Sequence, residues 1–130
     1  MLALDTNTVI YFFKGVGRVA ENLQREAPRE IGIPAVVLYE LEVGIARSRR
    51  PRQRRESLAA LLQVIHILPF DERAARASAE LRAELERAGK GIGPMDTLIA
   101  GTALAYSAAL VTHNAKEFSR VRGLRLLDWY

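Results

Sequence analysis

The sequence predicts an α/β fold: a central, mostly parallel sheet of about four to five strands, flanked by helices on both faces, as one domain over residues 1–130. Three observations predict it. Short apolar runs alternate with helix-periodic segments along the chain, the order that builds parallel strands joined by crossover helices. Residues 95–108 are apolar nearly all round, which a helix is only when its neighbours bury it on every side. A chain of 130 residues, 49% hydrophobic and 26% charged, has enough apolar material for one core.

Each element follows from its own residues. Leu2 to Leu4 is a short apolar strand ending on Asp5, and Thr6 and Asn7 begin a helix that runs through Phe12 and Phe13 and stops at Gly15. Residues 17–25 form a second short helix. Ile31-Gly32-Ile33 is a buried strand closed by Pro34, after which Val36, Val37, Glu40, Leu41 and Gly44 keep helical spacing to Ala46. Pro51 opens the next helix, with Leu58, Leu61 and Leu62 inward, and it ends near Gln63. Residues 64–68 suit a strand, with His66 in an ordinary sheet position between Ile65 and Ile67. Asp71 caps a long amphipathic helix whose buried stripe is Ala74, Ser78, Leu81, Leu85 and Ala88. Gly89, Gly91 and Gly93 mark a loop before the all-apolar helix. Residues 109–112 return as a strand, 115–119 form a turn or short helix, and 124–127 a last strand, with Trp129 and Tyr130 over a core edge.

Composition removes several function classes. Without cysteine there is neither a disulfide framework nor a thiolate metal site. The N-terminus has no basic region followed by an apolar stretch, and no segment reaches the roughly 20 apolar residues that span a bilayer, so a soluble, cytoplasmic domain is expected. The net charge of +4 is unevenly spread: Arg47, Arg49, Arg50, Arg52, Arg54 and Arg55 fall within nine residues. Such a segment suits contact with nucleic-acid phosphates or with a partner protein, and equally a solvated helix face.

The acids are more informative than the bases. In an open parallel sheet, ligands bind beyond the carboxyl ends of the strands. Asp5 stands there on the first strand, Asp96 lies in the first turn of the buried helix, and Glu40 lies within a largely apolar one. Asn114 and Glu117 follow the strand over residues 109–112. Asp5, Glu40 and Asp96 have Leu4, Leu41 and Leu98 as neighbours, whereas Glu21, Glu26, Glu80, Glu84 and Glu86 lie in polar stretches. A desolvated carboxylate is paired, neutralised or bound to a cation. Taken singly, Asp5 reads equally as a helix cap and Glu40 as an arginine partner. Taken together, hard oxygen donors without sulfur or paired histidines suit Mg²⁺, with Mn²⁺ as the alternative.

The order of the motifs narrows this further. Leu4-Asp5-Thr6-Asn7, then Glu40-Leu41-Glu42-Val43-Gly44, then Asp96-Thr97-Leu98-Ile99-Ala100, then Val111-Thr112-His113-Asn114 with Glu117-Phe118, resembles the PIN-domain family, and within it the VapC toxins. The resemblance extends to Asp128-Trp129. It implies a PIN fold, a Mg²⁺-dependent endoribonuclease, a homodimer, and neutralisation by a co-expressed VapB-type antitoxin. By position, Asp5, Glu40 and Asp96 match the family's acidic metal site, Glu40 being selected over Glu42 by the E-L-x-x-G pattern. Where many relatives carry a further aspartate, this chain has Asn114 and Glu117, and both are candidates for the fourth place. Thr6, Asn7, Thr97 and Thr112 are candidates for orienting the carboxylates.

The mechanism so implied is attack by a metal-activated water on an RNA phosphodiester, with basic residues guiding the backbone. An acidic pocket also suits capture of an Arg or Lys from an inhibitor. Other readings compete, among them a phosphotransfer-type receiver domain, for which neither an acidic pair after the first strand nor a late lysine is clear. Asp5-Thr6-Asn7-Thr8-Val9 echoes the D-x-D-x-[TV] pattern of haloacid-dehalogenase-type phosphatases, but Asn7 replaces the second aspartate. A non-catalytic module would use residues 47–55 to bind nucleic acid or protein. His113 serves as a spacer, and Tyr11, Phe12 and Phe13 make core or dimer contacts.

Overall fold

Five parallel strands form one sheet in the order β3-β2-β1-β4-β5 in the computed structural model, which describes residues 1–130. They are β1 (Leu2–Leu4), β2 (Ile31–Pro34), β3 (His66–Leu68), β4 (Ala109–Val111) and β5 (Leu126–Leu127). Between them run α1 (Thr6–Lys14), α2 (Val19–Arg25), α3 (Ala35–Ala46), α4 (Pro51–Leu62), α5 (Glu72–Arg87), α6 (Pro94–Ala105) and α7 (Ala115–Phe118). The chain fills one side of β1 with β2 and β3, then crosses back to lay β4 and β5 on the other. The order therefore reverses between β1 and β4, where a parallel sheet opens a crevice at its carboxyl edge.

That edge is tied together by the first turn of α1. The Asp5 N–H donates to Val111 O at 3.1 Å, and Thr8 Oγ1 donates to the same carbonyl at 3.0 Å. Asp5 also caps α1, accepting from the Thr8 N–H at 2.9 Å. Gly15 ends α1 in the left-handed region at φ 68°, with its N–H turned back to the last carbonyls of the helix. The core beneath is built from side chains such as Leu4, Ile33, Val37, Ile99, Leu110 and Phe118, each at most 1% exposed.

Close approach explains two glycines inside elements. A Cβ at Gly32 would lie 2.9 Å from Leu68 Cγ on the neighbouring strand. One at Gly101 would lie 1.9 Å from Ser78 Oγ and 2.7 Å from Ser78 Cα, so α5 and α6 meet with almost no side chain between them.

The expected elements are present, with shifted limits. The third strand is shorter than residues 64–68, and as an edge strand it leaves His66 and Ile67 facing solvent while Ile65 is buried. Ala88 is not on the buried stripe of α5: the helix ends at Arg87, and Ala88 is its exposed cap. The apolar helix stops at Ala105, because Tyr106 and Ser107 turn the chain into β4, Ser107 at φ 53°. The last strand pairs only over Leu126–Leu127, and a 3-10 turn at Pro28–Glu30 precedes β2. No helix is long and apolar enough to cross a membrane.

Candidate active site

Four acids from four different elements meet at the crevice. Asp5 follows β1, Glu40 lies in the second turn of α3, Asp96 in the first turn of α6, and Glu117 in α7. Asp5 is 5% exposed and the other three are half-buried. Their repulsion is felt at Asp96, which lies within electrostatic reach of Glu117, Glu40 and Asp5.

Each of the other carboxylates is held by an identified donor. Asp5 Oδ1 accepts from the Thr8 N–H, so the capping role and the place in the crevice coincide in one residue. Thr6 Oγ1 donates to Glu40 Oε1 at 2.5 Å. The Gly93 N–H donates to Glu117 Oε1 at 2.8 Å, and Asn114 Nδ2 donates to Glu117 Oε2 at 3.0 Å. Asn114 is itself fixed by its N–H, which donates to Thr112 Oγ1 at 3.0 Å. Any side chain at position 93 would touch both Asp96 Oδ2 and Glu117 Oε1, since a Cβ there lies 3.7 and 3.8 Å from them.

The electrostatics are those of an acidic site without an internal cation. Burial first, then the charges of Glu117, Glu40 and Asp5, push the Asp96 carboxyl up to about 6. The positive end of α6 favours its ionisation but does not outweigh them. Glu117 is held below the usual carboxylate range by the Gly93 N–H and then by the Asn114 amide. Below about pH 6 the proton of the pair therefore resides on Asp96 and the charge on Glu117. None of the four acids is ion-paired; the protein's ion pairs all lie elsewhere.

This donor set fits a hard divalent cation. The donors are all carboxylate oxygens, none of them is ion-paired, although the charge of Arg120 reaches Glu117, and crowding raises the proton affinity of Asp96. No three of them already converge as a closed coordination shell. Mg²⁺ does not require one, because it keeps several waters and takes one or two carboxylates directly.

The other expected site residues divide in two groups. Thr6 and Thr112 act as orienting groups, Thr6 on Glu40 and Thr112 through Asn114. Thr97 instead donates to Gly93 O at 2.9 Å, steadying the start of α6, and Asn7 is exposed on α1. Arg49, Arg50 and Arg54 line a cleft with Glu40, whereas Arg47, Arg52 and Arg55 are exposed outside it. His113 pairs through Nδ1 with Asp128 Oδ2 at 2.9 Å and stacks on Tyr130, with Tyr11 edge-on to both. Two contributors escape sequence reasoning, the Thr8 hydroxyl and the Gly93 N–H. The one signal for Gly93 is its place just before Pro94, where a helix leaves N–H groups without internal partners.

The sequence pattern of the PIN domain matches residues 2–124. The chain is 38% identical over 128 residues to ribonuclease VapC2 of Rickettsia felis, covering 97% of this chain and 96% of that protein. It is 35% identical over 126 residues to the tRNA(fMet)-specific endonuclease VapC of Shigella flexneri, with the same coverage. Among solved structures, it superposes with a TM-score of 0.93 and 37% identity on VapBC2 from Rickettsia felis bound to a promoter DNA fragment, covering 99% of this chain and 98% of that one. DNA-bound VapBC from Salmonella typhimurium gives 0.93 and 34%, with both chains fully covered. With its sequence and its fold matched over nearly the whole length, the chain belongs to the PIN-domain family, on its VapC branch.

Proposed function

We infer that this chain is a divalent-metal-dependent endoribonuclease, the toxin of a VapBC-type toxin–antitoxin pair. The observation that carries the reading is the meeting of Asp5, Glu40, Asp96 and Glu117 at the carboxyl edge of β1 and β4 with none of them ion-paired. Negative charge gathered against burial and mutual repulsion calls for a cation from outside. Full-length similarity to proteins named ribonuclease and tRNA(fMet)-specific endonuclease supports RNA as the substrate class. Similarity to chains solved as VapBC complexes supports a VapB-type antitoxin as partner.

In this reading Asp5, Glu40 and Asp96 would hold the ion, Mg²⁺ or Mn²⁺, directly or through its waters, with Glu117 as the fourth acid. Once bound, the ion would supply Lewis acidity toward a phosphate oxygen and would lower the pKa of water. Thr6 keeps the Glu40 carboxylate in place, while Gly93 and Asn114 keep Glu117 ionised. Asp96 carries a proton below about pH 6 and releases it above. Asn114 thus belongs to the site as the donor that orients Glu117. The His113 ring is engaged by Asp128 and Tyr130, so the reading gives it no chemical step.

The test is cleavage of total RNA by the purified chain with Mg²⁺, with EDTA, and for Asp96→Asn. Discrete fragments that require both the metal and Asp96 are expected. Fragments that persist in EDTA or in the variant would sink the reading. No cleavage, together with no growth arrest on expression in cells, would favour a non-catalytic binding module.

A further inference from the structure

The α3–α4 connection and the first turn of α4 share a cleft with one of the acids. Arg49, Arg50 and Arg54 line a cleft of about 490 Å³ with Lys14, Ser48 and Glu40, floored by apolar carbons of α1 and α3. A second cavity of about 220 Å³ continues it, and Lys14, Arg50 and Arg54 line both. Ser48 holds the arrangement: its Oγ accepts from the Arg50 N–H at 3.0 Å and from Arg54 Nε at 3.1 Å. None of these four cations is ion-paired, although four other arginines of the protein are. Glu40 belongs to both places. It lines the cleft and is one of the acids that repel Asp96.

A cleft lined by unpaired cations that shares one acid with the acidic centre suits a particular kind of ligand. A small anion would sit on the cations and have no use for Glu40. A polyanion satisfies the cations with successive phosphates and reaches the acids at only one, where a divalent cation would offset the repulsion. We propose that this cleft is the track along which a single-stranded RNA backbone enters the site. Lys14, Arg49, Arg50 and Arg54 hold the phosphates on one side of the scissile bond, and Glu40 marks where the track meets the acidic centre. Arg47, Arg52 and Arg55 stand outside it. The proposal rests on the ribonuclease reading and divides the arginine run into residues that touch substrate and residues that do not.

The division makes it testable with variants of equal charge. Arg49→Gln/Arg50→Gln/Arg54→Gln removes the track, and Arg47→Gln/Arg52→Gln/Arg55→Gln removes as much charge beside it. Binding of a labelled single-stranded oligoribonucleotide to the full chain is followed by anisotropy across a salt series in EDTA, and cleavage is followed in Mg²⁺. Each phosphate contact to a single strand contributes about 0.7 to the slope of log affinity against log salt. The track variant is expected to lower that slope by about 2, to weaken binding at least about tenfold and to raise KM with kcat little changed, the control moving the slope by less than half as much. Equal losses in both variants would reduce the effect to overall charge and overturn the track. Unchanged RNA binding in the track variant would overturn it too, and lost antitoxin binding in that variant would make the cleft a protein-docking surface. A wild-type chain that neither binds nor cleaves RNA would instead bring down the ribonuclease reading itself.

Discussion

Glu40 sits on a helix whose other side chains are mostly apolar, and one hydroxyl decides where its carboxylate rests. Thr6 donates to it at 2.5 Å across 34 residues of sequence. Groups that orient a metal-site carboxylate are typically worth about 10–100-fold in metal affinity or activity. Thr6→Val is therefore expected to lower cleavage by about that factor while RNA affinity in EDTA is unchanged, and Thr6→Ser to restore most of it. Full activity in Thr6→Val would show that α3 alone places Glu40. At this scale the sequence is legible where a charge has apolar neighbours, as at Asp5, Glu40 and Asp96 beside Leu4, Leu41 and Leu98. It is opaque where a bond depends on rotamers. Asn114 and Glu117 look like rivals for one place in the sequence, whereas in the fold the amide of one holds the carboxylate of the other. Thr97, which looks like a partner of Asp96, bonds its own helix start.

The crossover helix α6 carries Asp96 at one end, so its seat against α5 sets the position of an active-site acid. That seat depends on Gly101. Alanine is intrinsically favoured over glycine in a helix by about 1 kcal/mol, yet here its Cβ would lie 2.7 Å from Ser78 Cα, which cannot swing away. Overpacking of this kind costs about 1–3 kcal/mol, so Gly101→Ala is expected to lower the midpoint of thermal unfolding by roughly 5–10 °C. The Ser78 hydroxyl is 3% exposed and has no hydrogen-bond partner, so Ser78→Ala alone should stabilise by about 1 kcal/mol. Ser78→Ala should not rescue Gly101→Ala, because the backbone clash remains; thermal melts of the three variants decide it. Element type was readable from periodicity, as in α5, where Ala74, Ser78, Leu81 and Leu85 are buried as spaced. Limits were not. Ala88 continues the stripe in sequence but falls past the helix end, and Ile67 alternates correctly but lies on an edge strand with no layer over it. Alternation states a period, and the tertiary contact that uses it lies elsewhere in the chain.

The whole molecule carries a net charge of +4, yet its interior charges are acidic and gathered at the carboxyl edge of the sheet. The β-then-α order foretold that edge as the binding side, and the reversal between β1 and β4 supplies the crevice. Gathering acids there couples stability to protons and to metal. Asp96 titrates near 6 in the folded chain against an ordinary value of 3.8, so the metal-free fold binds its proton more tightly than the unfolded chain does. This contribution is complete below about pH 4 and is lost as the pH rises through about 6, the reverse of an ordinary paired carboxylate. Because Asp96 is only half-buried, solvent screens the effect, and a change of about 3 °C in midpoint is the scale to expect. In EDTA, wild type should therefore fall relative to Asp96→Asn between about pH 4 and 7. Mg²⁺ must displace that proton, so it should stabilise wild type more at pH 7 than at pH 5, the stabilisation at a hundred times its Kd being about 2.7 kcal/mol. Asp96→Asn should respond far less to the ion. A wild-type midpoint indifferent to Mg²⁺ at pH 7, with the EDTA trend present, would leave the four acids as a strained cluster that binds no divalent cation.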